Sequence, residues 1–207
     1  MTIPRTPSRA PSDTRPRAVV LASSSPYRRA LLERLRIPFS SAAPDIDESR
    51  RPGERALALV RRLARQKAAA LAPAWPGALV IGSDQVAVND GQVLGKPGSH
   101  AAAVHQLRAA SGRSVEFPTA VCVLDSANGH TLIDIVTTTV VFRKLGDTAI
   151  ERYLAAEQPY DCAGSFKIEG AGFVLFESVQ TDDPTGLIGL PMIWVADRLL
   201  QLGYLLP

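Results

Sequence analysis

The stretch Ala18-Val19-Val20-Leu21-Ala22-Ser23-Ser24-Ser25-Pro26-Tyr27-Arg28-Arg29 decides the fold. Its first five residues are an apolar run of strand length with no polar break, which predicts a buried strand. The three serines turn the chain. Pro26 then falls where a helix's first position tolerates a missing N–H. Ala30, Leu31, Leu32 and Leu35 continue as an apolar stripe that ends before Pro38. A buried strand feeding directly into a helix is the opening unit of an α/β sheet.

The pattern extends outward in the same sense. Residues 39–43 predict a second strand, followed by an acidic loop with Asp45, Asp47 and Glu48. Residues 54–72 predict a long Arg/Ala-rich helix. Residues 79–84 (LVIGSD) predict a buried strand with Asp84 at its C-terminal end, where open α/β sheets place ligands. Asn89-Asp90-Gly91 is a hairpin signal, and a helix over 99–110 follows Gly95-Lys96-Pro97. Two β-rich stretches, 114–124 and 131–142, flank Ser-Ala-Asn-Gly. A helix over 147–157, a glycine-rich patch over 163–172, a strand over 173–177 and a helix over 190–202 complete the chain. Strands alternate with helices in the first half and pair locally in the second. The expectation is an α/β fold: a long mixed twisted β-sheet with flanking helices, in two lobes around a central cleft, as one domain over residues 18–207.

Composition removes several function classes. The chain has 207 residues, 46% hydrophobic and 21% charged, an ordinary globular balance. A chain of this size buries about 70% of its unfolded surface without a disulfide or a metal. Cys122 and Cys162, the only cysteines, make neither a disulfide framework nor a four-ligand zinc site, and fit a reducing cytoplasm. No apolar run reaches the 18 or so residues of a membrane-spanning helix, so no membrane partner is expected. Residues 1–17 read as a disordered, basic, proline-rich tail, because Pro4, Pro7, Pro11 and Pro16 forbid an amphipathic helix. Arg5, Arg9, Arg15 and Arg17 against Asp13 account for the whole formal charge of +3. Residues 18–207 are therefore neutral overall, and with only 6% aromatic residues they make a poor nucleic-acid surface.

The candidate chemistry is local. His100, His105 and His130 have no metal-ligand spacing, and neither a nucleophile elbow nor a P-loop is present. Ser23, Ser24, Ser25, Arg28 and Arg29 at a helix N-terminus suit an anion. They suit equally an ordinary N-cap followed by a solvated arginine pair. Lys67 lies on the inward stripe of its helix with Val60, Leu63 and Leu71, whereas Arg61, Arg62 and Arg65 lie off it and read as solvated. An inward lysine either meets a buried partner or ligand or snorkels at the helix edge. Asp84 reads as a ligand-facing acid or a turn cap, and Lys96 as a loop cation or a surface charge. The chain has 19 Arg and 4 Lys, and three of those lysines (Lys67, Lys96, Lys167) fall in the singled-out segments. Several cations around Asp45, Asp47, Glu48 and Asp84 suit a polyphosphate held with Mg²⁺ or Mn²⁺.

Seven segments in order resemble the Maf family: Ser23–Arg29 with Leu31-Leu32, Asp45-Ile46-Asp47-Glu48, Leu63-Ala64-Arg65-Gln66-Lys67-Ala68, Ile81-Gly82-Ser83-Asp84, Gly95-Lys96-Pro97, Ala163-Gly164-Ser165-Phe166 and Gly189-Leu190-Pro191. The resemblance covers roughly residues 18–204. It implies an ITPase-like mixed α/β fold, cleavage of nucleoside triphosphates between the α and β phosphates, a divalent metal (Mg²⁺, Mn²⁺ or Co²⁺) and a homodimer. It carries the proton-acceptor role to Asp84. It places Asp47, Asp84, Lys67 and Lys96 around metal and phosphates, and Ser23–Arg29 on the phosphate chain.

The commonest Maf pattern reads S-P-R-R, G-A-D-T and A-G-A-Y-x-I-Q-G, and prefers dTTP and UTP. Here the matching stretches hold Tyr27, Gln85 and Glu169, and so resemble the branch that hydrolyses 7-methyl-GTP. That branch often has Trp at the first of these positions; Tyr27 keeps the aromatic face. The swap is chemically sensible. N7-methylation makes guanine cationic, a cation stacks on an aromatic face, and a carboxylate accepts from the N1–H and exocyclic amine. The alternatives are a dTTP/UTP-type pyrophosphatase and a non-catalytic nucleotide sensor regulating cell division.

Overall fold

The computed structural model describes residues 17–207. The expected tail over residues 1–16 lies outside the described residues. Arg17 does not belong with that tail: its guanidinium donates to Asp125 Oδ2 at 2.6 Å and to the Gly77 carbonyl at 2.9 Å, and its own carbonyl accepts from the Tyr204 hydroxyl. The folded body thus begins one residue earlier than the composition shift suggests.

The chain opens with β1 (Val19–Ala22), α1 (Pro26–Glu33), β2 (Phe39–Ala42), α2 (Ala56–Leu71) and β3 (Leu79–Gln85). β1 pairs in parallel with both β2 and β3, with α1 and α2 as the crossovers. β4 (Ala87–Asn89) and β5 (Gln92–Leu94) form a hairpin whose turn residues, Asp90 and Gly91, both take positive φ (48° and 73°), as such a turn requires. α3 (His100–Ala110), β6 (Ser114–Asp125), β7 (Thr131–Phe142), α4 (Asp147–Glu157), β8 (Phe176–Gln180) and α5 (Met192–Gln201) follow.

β6 joins the two halves. Its C-terminal part, Thr119–Asp125, runs antiparallel to β3, while Glu116 further up pairs with Val88 on β4. β7 covers its other edge along the whole length, and β8 adds to β7, which completes one eight-stranded mixed sheet.

Side-chain alternation divides the core. Val19, Leu21, Leu79, Ile81, Val121 and Val123 pack under α1 and α5 on one face. Val20, Ala22, Val80, Ala120 and Cys122 pack under α2 on the other. The second lobe has its own core around Phe117, Phe142, Phe166 and Phe176, closed by α3 and α4. The four rings meet edge to face at centroid distances of 4.8–5.9 Å, a favoured aromatic geometry. The expected two lobes on a long mixed sheet are present, with the cleft between them.

One element differs. The strand expected over 173–177 begins at Phe176, and Ala171–Leu175 forms a 3₁₀ turn instead. Gly172 explains this. It lies against the Lys167 carbonyl so closely that a Cβ there would stand 2.3 Å away, and the tight turn leaves Phe173 and Val174 exposed. Among the described residues no helix is long and apolar enough to cross a membrane.

Candidate active site

The site begins where α2 meets β3. Gly82 faces α2, and a Cβ on it would collide with the Ala64 carbonyl, so only glycine lets helix and strand approach this closely. One turn along α2 is Lys67, and two residues along β3, on the same face, is Asp84. The Lys67 Nζ donates to Asp84 Oδ1 at 2.7 Å, and both residues are buried. Lys67 Nζ also lies 3.0 Å from Glu48 Oε1. Burial pushes the Asp84 carboxyl above its usual range. Lys67 and Arg28 oppose that shift by favouring the carboxylate, and Glu48 adds to it.

This pair opens into a cleft of about 670 Å³, an ordinary size for a small-molecule site. The Ser23–Arg28 stretch, Lys96 and Gln85 also line it. The serines are partly engaged by the fold: Ser23 Oγ accepts from the Ser25 amide at 3.1 Å, and Ser25 Oγ caps α1 by accepting from the Arg28 amide. The Arg28 Nε donates to the Gly189 carbonyl at 2.8 Å, which points its guanidinium along the cleft wall. Burial lowers its pKa, with Asp84 and Glu48 pulling the other way. Arg29 is not in the cleft. It is exposed on α1 and pairs with Glu33 one turn on, at 3.1 Å, because neighbouring residues on a helix point about 100° apart.

The acidic loop differs from expectation in which acid it presents. Glu48 lines the cleft, whereas Asp47 turns back into its own loop and accepts from the Ser49 amide at 2.8 Å. That bond and the Ser49 hydroxyl, with Arg62 and Arg51 nearby, hold its pKa down. Arg62, expected to be solvated, is the clamp of this loop. It binds both carboxylate oxygens of Glu54 at 2.7 and 2.8 Å, the Ser49 carbonyl at 3.0 Å and Gln66 at 2.9 Å. The i, i+4 pairing with Gln66 is the one signal of this role in the sequence. Asp84 and Glu48 are hard oxygen donors converging on one ammonium. A cation that keeps several of its own waters and substrate oxygens needs only one or two such carboxylates; Asp84 and Glu48 offer oxygens of that kind to the cleft, and Asp47, expected beside them, is turned away from it.

The other end of the cleft carries Tyr27, Asp161, Cys162 and Glu169. Burial, with Cys162, Asp161 and Glu169 nearby, pushes the Tyr27 phenol up to about 12. Burial also raises the Glu169 carboxyl, against the pull of Lys167. Gln85 lines the cleft and also has a structural role. Its amide nitrogen donates to Thr119 Oγ1 and to the carbonyls of Gly186 and Leu187 at 2.8–3.1 Å, so it braces the loop before α5. That loop has a second anchor that the motifs did not reveal. Asp183, 2% exposed, accepts from Thr185 through Oδ1 and from the Ile193 amide through Oδ2, which satisfies an orphan donor at the α5 N-terminus.

The family model described as Maf-like protein matches residues 18–202. A 7-methyl-GTP pyrophosphatase of Pseudomonas syringae pv. tomato is 57% identical over 92% of this chain and 99% of its own length. A protein of the same name from Cupriavidus metallidurans is 54% identical over 93% and 96%. A HAM1 protein from Coxiella burnetii shares the fold, with a TM-score of 0.51 over 89% of this chain and 99% of its own at 16% identity.

Proposed function

The chain belongs to the Maf family, and from that premise we propose that it hydrolyses 7-methyl-GTP to 7-methyl-GMP and diphosphate. The observation that carries the chemistry is the buried Lys67–Asp84 pair, 2.7 Å apart at the floor of the cleft. Lys67 opposes the effect of burial on Asp84 and favours its carboxylate, the form that takes a proton from water. That water attacks the α-phosphorus, the bond to the bridging oxygen breaks, and diphosphate leaves with the bond's electron pair. Lys67, Lys96 and Arg28 stabilise the charge that develops on the phosphate oxygens. Ser24, which is exposed beside the cleft, and the α1 N-terminus add neutral donors. Asp84 and Glu48 would hold a divalent cation, which when bound supplies Lewis-acid polarisation of those oxygens.

Tyr27 and Glu169 support the choice of base. Tyr27 stays a neutral phenol for a cationic ring to stack on, and Glu169 reads the donor edge of guanine. The homologues' names point the same way. The enzyme acts in the cytoplasm on free nucleotide rather than nucleic acid, and as a homodimer, for which exposed Phe173, Ile193 and Leu200 offer apolar surface.

Diphosphate release over a nucleotide panel with Mg²⁺, Mn²⁺ and Co²⁺ tests the reading. The expected result is a higher kcat/KM for 7-methyl-GTP than for GTP, UTP or dTTP. A preference for UTP or dTTP overturns it. Glu169→Gln is expected to erode the 7-methyl-GTP preference; an unchanged ratio to UTP removes Glu169 from base reading.

A further inference from the structure

We propose that Asp161 is a specificity-determining residue which, with Glu169, makes the base end of the cleft an acidic cage for a cationic nucleobase. The inference rests on the functional reading above and adds a residue to it.

The charges that line the cleft are segregated. Arg28 and Lys67 accompany Asp84 and Glu48 at one end, while Asp161 and Glu169 stand with Tyr27 at the other; Lys96 lines the same cleft. Among the described residues neither Asp161 nor Glu169 makes an ion pair. Among the described residues the one side-chain donor to Asp161 is the Cys162 thiol at 3.4 Å, a weak donor. Lys167, the cation nearest to Glu169 in sequence, is turned to the Glu157 carbonyl at 2.9 Å. Among the described residues, then, neither carboxylate has a cation of its own: the Glu169 carboxyl has the Glu169 and Ile168 backbone amides and the more distant charge of Lys167, and Asp161 only the weak thiol.

The loop that presents Asp161 is built rather than loose. The Gly98 amide donates to the Tyr160 carbonyl at 2.9 Å, which ties it to the Lys96 loop, and the Cys162 amide closes a turn onto Pro159 at 3.2 Å. His100 adds contacts to Tyr160 and Glu151 at 3.0 and 2.8 Å. Just beyond, Gly164 takes φ +76°, with the Phe117 ring about 3 Å from where a Cβ would be, which fixes the loop against the second core.

A ligand that carries phosphates at one end and a positive ring at the other matches this polarity. 7-Methylguanosine triphosphate has that distribution and GTP lacks the positive ring. Discrimination between them then comes from charge at a distance as well as from hydrogen bonds, and two acids give more of it than one.

The test is the isosteric variant Asp161→Asn, assayed with 7-methyl-GTP and GTP. Expected is a loss of about tenfold in kcat/KM for 7-methyl-GTP, the size of one partly screened charge contact, carried by KM. GTP should stay within about twofold of wild type, and added salt should narrow the gap between the proteins. Asp161→Glu should recover most of the preference. Equal losses on both substrates, or an unchanged 7-methyl-GTP/GTP ratio, overturn the proposal while leaving the enzyme's assignment standing. A wild-type enzyme with no preference for 7-methyl-GTP overturns the assignment itself.

Discussion

Gly82 on β3 faces Ala64 on α2 across a gap with no room for a side chain: a Cβ on Gly82 would stand 2.2 Å from the Ala64 carbonyl oxygen and 2.8 Å from the Ala68 amide nitrogen. Both obstacles are backbone, so neither can swing aside. The closeness of this approach sets the reach of Lys67 toward Asp84. Gly82→Ala must push α2 outward, at a cost of about 1–3 kcal/mol or more. For a domain of this size each kcal/mol lowers Tm by about 2–4 °C. The variant should therefore unfold several degrees early and lose most diphosphate release at temperatures where it is still folded. Thermal unfolding and activity on one preparation check both.

Lys67 itself separates charge from shape. Removing one partner of a buried ion pair leaves the other uncompensated, a loss of about 3–5 kcal/mol. Lys67→Met should cut kcat at least about 100-fold. Lys67→Arg should not restore it, because a planar guanidinium fork does not fit where a compact ammonium meets Asp84 and Glu48 together. Circular dichroism confirms folding, and single-turnover diphosphate release reads the chemistry.

The Arg62–Glu54 clamp gives a pH signature away from the chemistry. Arg62, helped by the Arg51 amide, pulls the Glu54 carboxyl from 4.5 down to about 2. A depressed acid pKa stabilises the folded state above the unfolded value, and the gain is lost as pH falls through the folded one. The Tm difference between wild type and Arg62→Ala should be largest above pH 4.5 and shrink toward pH 2. At neutral pH the variant should also show a raised KM, since the clamped loop carries Glu48. Thermal melts across that range, with kinetics at pH 7, decide the matter.

What was legible in the chain follows a physical pattern. Strands buried on both faces announced themselves: residues 79–82 carry no polar side chain, and the inward lysine of α2 was visible from its spacing. Positions that depend on a side chain's direction in a loop were not. Asp47 and Glu48 are neighbours in an irregular segment, with no period to say which faces inward; the Ser49 amide decides it by capturing Asp47. Arg28 and Arg29 differ in the same way, separated by a Gly189 carbonyl 161 residues distant. Gln85 serves the loop before α5 through backbone bonds about 100 residues away, which no local pattern encodes, whereas Asp183 bonds Thr185 two residues on and the Ile193 amide ten residues on.

The loop's choice between its two acids gives the last prediction. Glu48 Oε1 lies 3.0 Å from Lys67 Nζ and lines the cleft, so Glu48→Gln removes one of the two carboxylates able to share a divalent cation. The metal concentration for half-maximal activity should rise about 10-fold or more, within the range seen when a metal site loses a supporting group. Asp47→Asn keeps the oxygen that accepts from the Ser49 amide and removes only a charge that the cleft does not use. Its metal dependence should stay within about twofold of wild type, the scale of a surface charge change. Activity titrated with Mg²⁺ and Mn²⁺ in the two variants reads this directly. The reverse ranking would mean that the loop turns over when nucleotide and metal bind, bringing Asp47 inward in place of Glu48.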